Sequence, residues 1–131
     1  MLDLTPHQLI DGQKVQLELL CDRHIEGLKI AVANEKLWQK TFVNTESKLL
    51  LLQLAFKHVN ASRVEFLTDL NNQNSQRAIE RIGGVKAGLI RQHMILRKGR
   101  KRDSVIYSIL NHEWTSVKDN LNSLFAAYSL P

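Results

Sequence analysis

RVEFLTDLNNQNSQRAIERIGG, residues 63–84, changes its period halfway along. Val64, Phe66 and Thr68 alternate with polar or outward positions, so Arg63 to Thr68 reads as a short strand with those three on one face. Asn71 to Asn74 is a polar turn. Ser75 then leads into a helical pattern in which Ala78, Ile79 and Ile82 recur at three-and-four spacing. Gly83-Gly84 stops it, because glycine takes the left-handed cap conformation without strain. A strand that passes into a helix through a few polar residues is the unit from which α/β domains are built. A side chain at the carboxyl end of such a strand faces the crevice where ligands bind. Asn72 and Ser75 can donate to a ligand there, or they can cap the helix.

Upstream, Gln39 to Val43 shows no period and reads as a loop. Asn44 or Thr45 can cap the helix that follows, with Glu46 and Lys48 in a solvated first turn. Leu49, Leu52, Leu54, Ala55 and Phe56 give that helix a broad buried face, and Asn60 is its stop. Further back, Val15, Leu17 and Leu19 alternate in a strand over Gln13 to Leu20, preceded by a turn at Asp11-Gly12. Asp22 caps a helix that carries Ile25, Leu28 and Val32 and ends near Asn34. Downstream, Val85 to Leu96 and Ser104 to Leu110 read as the arms of a hairpin. In the second arm Val105, Tyr107 and Ile109 alternate with Ser104, Ile106 and Ser108. Trp114, Val117, Leu121, Leu124 and Phe125 place a helix over Asn111 to Ser129. The expected architecture is α/β (α+β), a small mixed sheet of about four strands flanked by helices, in the order β-α-α-β-α-β-β-α. Residues 1–131 are expected to form one domain.

Charge is concentrated at one place. The chain has 18 Lys and Arg against 13 Asp and Glu, a net charge of +5. Met1 to Gly83 is balanced, so the whole excess falls after it, most of it in Arg97-Lys98-Gly99-Arg100-Lys101-Arg102. This run reads as a solvated hairpin turn with Gly99 at its tip, or as a patch that attracts phosphates of RNA or the ribosome. No aromatic residue interleaves with it, so it offers no stacking platform for single strands. At 44% apolar and 24% charged, the composition is that of a globular chain. No apolar run is long enough to span a bilayer, and the first residues show no apolar core of a signal peptide, so a cytoplasmic protein without membrane contact is expected. The single cysteine, Cys21, excludes an internal disulfide and a thiolate zinc cluster, and reads as inert. His7, His24, His58, His93 and His112 lack metal-ligand spacing, so no metal is expected. Trp38 and Trp114 read as core or interface anchors.

NTESKLLLLQLAF, RVEFLTDLNNQNSQRAIERIGG, GLIRQH and RDSVIYSIL followed by EW resemble, in order and spacing, the GNAT acetyltransferases. The branch they resemble is the one that modifies ribosomal-protein N-termini and related acceptors. The resemblance is nearly continuous from Gln39 to Leu124. It implies transfer of an acetyl group from acetyl-CoA to an amine, on a protein N-terminus or a small molecule, by direct attack. It implies that Lys40, Thr41, Phe42, Val43, Asn44 and Thr45 cradle the CoA pyrophosphate, since free amides and the positive end of a helix favour an anion. It also implies that Asn72 and Ser75 lie beside the pantetheine arm and thioester. Ser75 is the candidate acid for the departing thiolate, because the tyrosine used by many relatives is replaced here by Ile79. No residue matches a general base for the acceptor ammonium.

One departure stands out. Between the first helix and the pyrophosphate loop, relatives carry strands two to four, whereas here Ala33 to Trp38 runs straight into Gln39-Lys40-Thr41. An internal deletion of this kind leaves the edge of Arg63 to Thr68 unpaired. Either the first strand, Lys14 to Leu20, covers that edge, or a second copy does so in a symmetric dimer. A catalytically silent relative that serves as a binding or oligomerisation module is the alternative to an active enzyme.

Overall fold

The computed structural model describes residues 9–11, 16–18 and 41–127, with side chains from Thr45 onward. These residues fall into two compact units, one reaching to Asn60 and resuming at Leu121, the other Ala61–Asn120.

In the first unit, β1 (Leu9–Asp11) and β2 (Gln16–Glu18) form an antiparallel ribbon in which Ile10 faces Leu17. β2 is the described part of the strand expected over 13–20, while β1 occupies residues expected to lead into a turn. The helix α1 (Thr41–Gln53) begins three or four residues before the caps expected at Asn44 and Thr45. Phe42 and Val43 lie seven residues before Leu49 and Leu50, so the helical stripe already extends that far back. The earlier start moves Thr45 and Glu46 away from the first turn. Both are buried, so the expectation of a solvated Glu46 is corrected. Leu50, Leu52 and Phe56 are buried too, and Leu51 is exposed. The helix runs out in a wider π-helical turn, Leu54–His58, closed by the Val59 amide donating to the Leu54 carbonyl at 3.0 Å. Asn60 then turns left-handed, at φ 59°, as its role of stop requires.

The second unit is built on β3 (Arg63–Asp69), β4 (Val85–Ile95) and β5 (Lys101–Leu110), in the spatial order β3-β5-β4. All pairings are antiparallel. The class is the α/β expected. The sheet has three strands, all antiparallel to their neighbours, because the described part of the N-terminal strand pairs in its own ribbon. The helix α2 (Gln73–Arg81) joins β3 to β4 and starts two residues earlier than Ser75. Gly83, at φ 102°, ends it as expected. Two register shifts interrupt β4, and at the second, between Ile90 and Met94, Gln92 adopts a positive φ of 47°. β5 begins at Lys101, three residues before the expected Ser104. The helix α3 (Trp114–Ala127) follows a 3₁₀ turn over Asn111–Glu113.

Ile79, Val105 and Tyr107 form the centre of the sheet unit's core, with Phe66 packed against them. Val105, Tyr107 and Ile109 are no more than 1% exposed, so the alternation read for this strand is the burial pattern of β5 from Val105 to Leu110, while Ser104, expected on the other face, is fully buried as well. The buried positions Trp114, Val117, Leu121 and Phe125 repeat the helical stripe read for the last helix. Cys21, Trp38, His7, His24 and the helix expected after Asp22 lie outside the described residues.

Candidate functional site

The best-built polar constellation lies where β3 hands over to α2. Asp69 ends the strand, and its Oδ1 accepts the Asn71 amide at 2.9 Å, a side-chain-closed turn of the kind aspartate favours. Its own carbonyl accepts the Asn72 amide at 2.9 Å. Asn72 is the N-cap of α2: its Oδ1 accepts the Ser75 amide at 3.0 Å, which satisfies one orphan donor of the first turn. Asn72 therefore caps, and its side-chain amide nitrogen stays outside that bond. Ser75 stands in the first turn, partly exposed, one helical turn before Ile79. Ile79 itself is core, so it contributes apolar contact to Tyr107 and no proton.

Three further side chains hold this corner. Gln76 donates from Nε2 to the Leu70 carbonyl at 2.7 Å and to the Asp69 carbonyl at 3.3 Å. Arg100 pairs with Oδ2 of Asp69 across the hairpin. The Arg100 guanidinium, followed by the Asn71 amide, holds the Asp69 carboxyl below the ordinary carboxylate range. Behind the turn, the buried Tyr107 hydroxyl donates to Glu80 Oε1 at 2.7 Å. Burial, and then the hydrogen bond to Glu80, push the Tyr107 phenol above its usual 10.0. Asp69, Gln76 and Arg100 were missed in the sequence. The Asp-Leu-Asn order offered a turn signal for Asp69, but Arg100 lies 31 positions away and had none.

Of the residues expected to cradle pyrophosphate, Lys40 lies outside the described residues. Thr41, Phe42, Val43, Asn44 and Thr45 are helical, so the loop expected there is corrected to the opening of α1. A helix that starts at Thr41 leaves free the amides of Thr41 to Val43, and takes those of Asn44 and Thr45 into its ladder. This set belongs to the first unit and the Asn72–Ser75 set to the second. The two are positioned by separate elements.

The basic run divides. Arg97–Gly99 forms the 3₁₀ turn, with Lys98 and Gly99 both at positive φ (68° and 75°). Arg100 is engaged by Asp69, and Arg102 Nε donates to the Ser104 hydroxyl at 3.0 Å. Arg97, Lys98 and Lys101 are exposed. His93 meets the Ser104 hydroxyl through Nδ1 at 2.9 Å. Among the described residues no group of three His, Cys, Asp or Glu converges as a metal site, and no helix is long and apolar enough to cross a membrane.

A family model described as an acetyltransferase (GNAT) domain matches residues 20–85, half of the chain. A search of curated proteins found no match. Among solved structures, a protein from T. thermophilus assigned as an acetyltransferase is 43% identical, with a TM-score of 0.64, over 68% of this chain and 47% of its own. A GCN5-related N-acetyltransferase from Brucella melitensis is 36% identical, with a TM-score of 0.58, over 61% of this chain and 36% of its own. A mutant spermidine N-acetyltransferase from Vibrio cholerae shares the fold at a TM-score of 0.57 with 18% identity, over 62% and 46% of the two chains. The chain thus spans about half the length or less of the structures it matches. The strand β3 and the N-capped helix α2 lie within the half of the sequence that the family model matches, and this chain belongs to the GNAT acetyltransferases.

Proposed function

We propose that the protein is an acetyl-CoA-dependent N-acetyltransferase acting on a primary amine, of the branch that modifies ribosomal-protein N-termini and related acceptors. The observation that carries this reading is the β3–α2 corner, where an N-capped helix start sits at the carboxyl end of a strand with Ser75 in its first turn. In this reading Asn72 and Ser75 flank the pantetheine arm and thioester. The amide groups of Thr41 to Val43 hold the pyrophosphate, with Lys40, Asn44 and Thr45 beside them. The neutral amine attacks the thioester carbonyl, the tetrahedral adduct expels the CoA thiolate, Ser75 Oγ–H supplies its proton, and the proton shed by the new amide nitrogen restores the serine hydroxyl. Residues 1–131 act as one truncated domain, working in the cytoplasm, whose strands two to four are deleted.

A calorimetric titration with acetyl-CoA tests the reading, followed by thiol release with peptide N-termini and small amines as acceptors. Saturable binding in the micromolar range, about −8 kcal/mol, is expected, and Asn72→Trp should abolish it. A folded chain that binds no acetyl-CoA refutes it.

The edge of β3, which no strand pairs among the described residues, favours a second reading. Among the described residues β5 is its one strand neighbour, and the described part of the first strand pairs elsewhere. A symmetric dimer through β3 covers that edge. If such a dimer forms and no acceptor releases thiol, the chain is a silent relative that serves as an oligomerisation module.

A further inference from the structure

The β4–β5 hairpin reaches past the end of β3. Asp69, the last residue of β3, lies opposite Ser104, so Lys101 to Asp103 run on with no β3 residue facing them. This overhang grips the β3–α2 turn at two points. The Leu70 amide donates to the Asp103 carbonyl at 2.9 Å, and Arg100 Nη2 pairs with Asp69 Oδ2. From Asp69 the bonding continues into the turn, through Oδ1 to the Asn71 amide and through the carbonyl to the Asn72 amide, both at 2.9 Å. Asn72 Oδ1 passes it to the Ser75 amide at 3.0 Å. Arg100 is itself placed by its own turn: the Leu96 amide donates to the Arg100 carbonyl at 2.8 Å, and the Gly99 amide to the Leu96 carbonyl at 3.1 Å.

We propose that Arg100 is a positioning residue which, through its ion pair with Asp69, fixes the 69–72 turn and thereby the placement of Asn72 and Ser75 for an acyl-CoA thioester. The inference rests on the reading of that corner as the thioester side of an acetyl-CoA site. The pair is partly solvated, with side chains 47% and 15% exposed, so it adds little to global stability. Its effect is local. A turn freed from Arg100 samples more conformations, and small misplacements of a binding group are costly to a bound geometry. It also gives Arg100 a task apart from the exposed cations Arg97, Lys98 and Lys101.

Amide hydrogen exchange by NMR and acetyl-CoA calorimetry on the full chain, Arg100→Gln, Arg100→Lys, Asp69→Asn and the double variant test this. In Arg100→Gln and Asp69→Asn, the amides of Asn71, Asn72 and Ser75 should exchange about three- to tenfold faster, with Val105 and Ile109 unchanged. The double variant should be no faster than either single, and Arg100→Lys should recover part of the protection. The acetyl-CoA dissociation constant should rise by a similar factor. Unchanged exchange in the turn overturns the proposal, as does faster exchange with unaltered affinity. Additive effects in the double variant overturn it too, because the two residues then act apart. If the unaltered chain binds no acetyl-CoA, the functional reading fails, while exchange at Asn71 and Asn72 still decides whether Arg100 holds the turn.

Discussion

At the end of β3, Asp69 performs three tasks: it closes its own turn, receives Arg100, and offers its carbonyl to Asn72. Its folded pKa lies below the ordinary value of 3.8, so the charged form is the one the fold favours. The stability this contributes is present above about pH 4 and is lost as pH falls through the folded value. Because the pair is partly solvated, Asp69→Asn should flatten the acid limb of the urea midpoint against pH only slightly, and a large flattening would show that the pair supports the whole fold. Tyr107 has the opposite sign. Its folded pKa is raised, so its contribution is complete below about pH 10 and is lost as pH rises through the folded value. Glu80 is exposed and can rehydrate, so Tyr107→Phe should cost only about 1 kcal/mol in denaturant melts and should flatten the alkaline limb.

The helix α2 depends on how it begins and how it ends. Asn72→Ala removes the side-chain acceptor for the Ser75 amide and should cost about 1 kcal/mol, while Asn72→Asp keeps the acceptor and should cost much less. At the other end, a Cβ added to Gly84 would lie 2.5 Å from Ile79 Cγ2 and 3.0 Å from the Ile79 carbonyl oxygen. Ile79 is in the core and cannot swing away freely, so Gly84→Ala should cost about 1–3 kcal/mol. Gly88 has nothing within 4 Å of its added Cβ, so Gly88→Ala should stay within about 0.5 kcal/mol of the parent. Thermal melts of the two glycine variants separate close packing from a general effect of alanine. The Gly83 stop of α2 was legible in the sequence, and Asn72 was one of two candidate caps, because caps and stops act within three or four residues; the helix itself starts two residues before Ser75. The opening of α1 was misread, because Asn44 and Thr45 are good caps that a longer apolar stripe overrides.

For the whole molecule the edge of β3 matters most, a seven-residue strand with Leu67 47% exposed. A strand edge that no described strand pairs, on a strand with an exposed leucine, is a template for another strand. Light scattering should find twice the monomer mass, and Leu67→Lys should lower the dimer fraction without changing the far-UV circular dichroism. A monomer at all concentrations would contradict edge pairing. The sequence by itself determined the period of Arg63 to Thr68 and of Val105 to Ile109, the stripe from Trp114 to Phe125, and the stops at Asn60 and Gly83. Each of these follows from backbone preferences and apolar spacing acting over a few residues. Tertiary structure alone decided that Glu46 is buried, that Arg100 and Arg102 are engaged while Lys98 and Lys101 are exposed, and that the Tyr107 hydroxyl meets Glu80. The Arg100–Asp69 and Tyr107–Glu80 contacts join residues 31 and 27 positions apart, which the packing of the sheet brings together. A register is a property of the paired strands, and neither strand carries it alone.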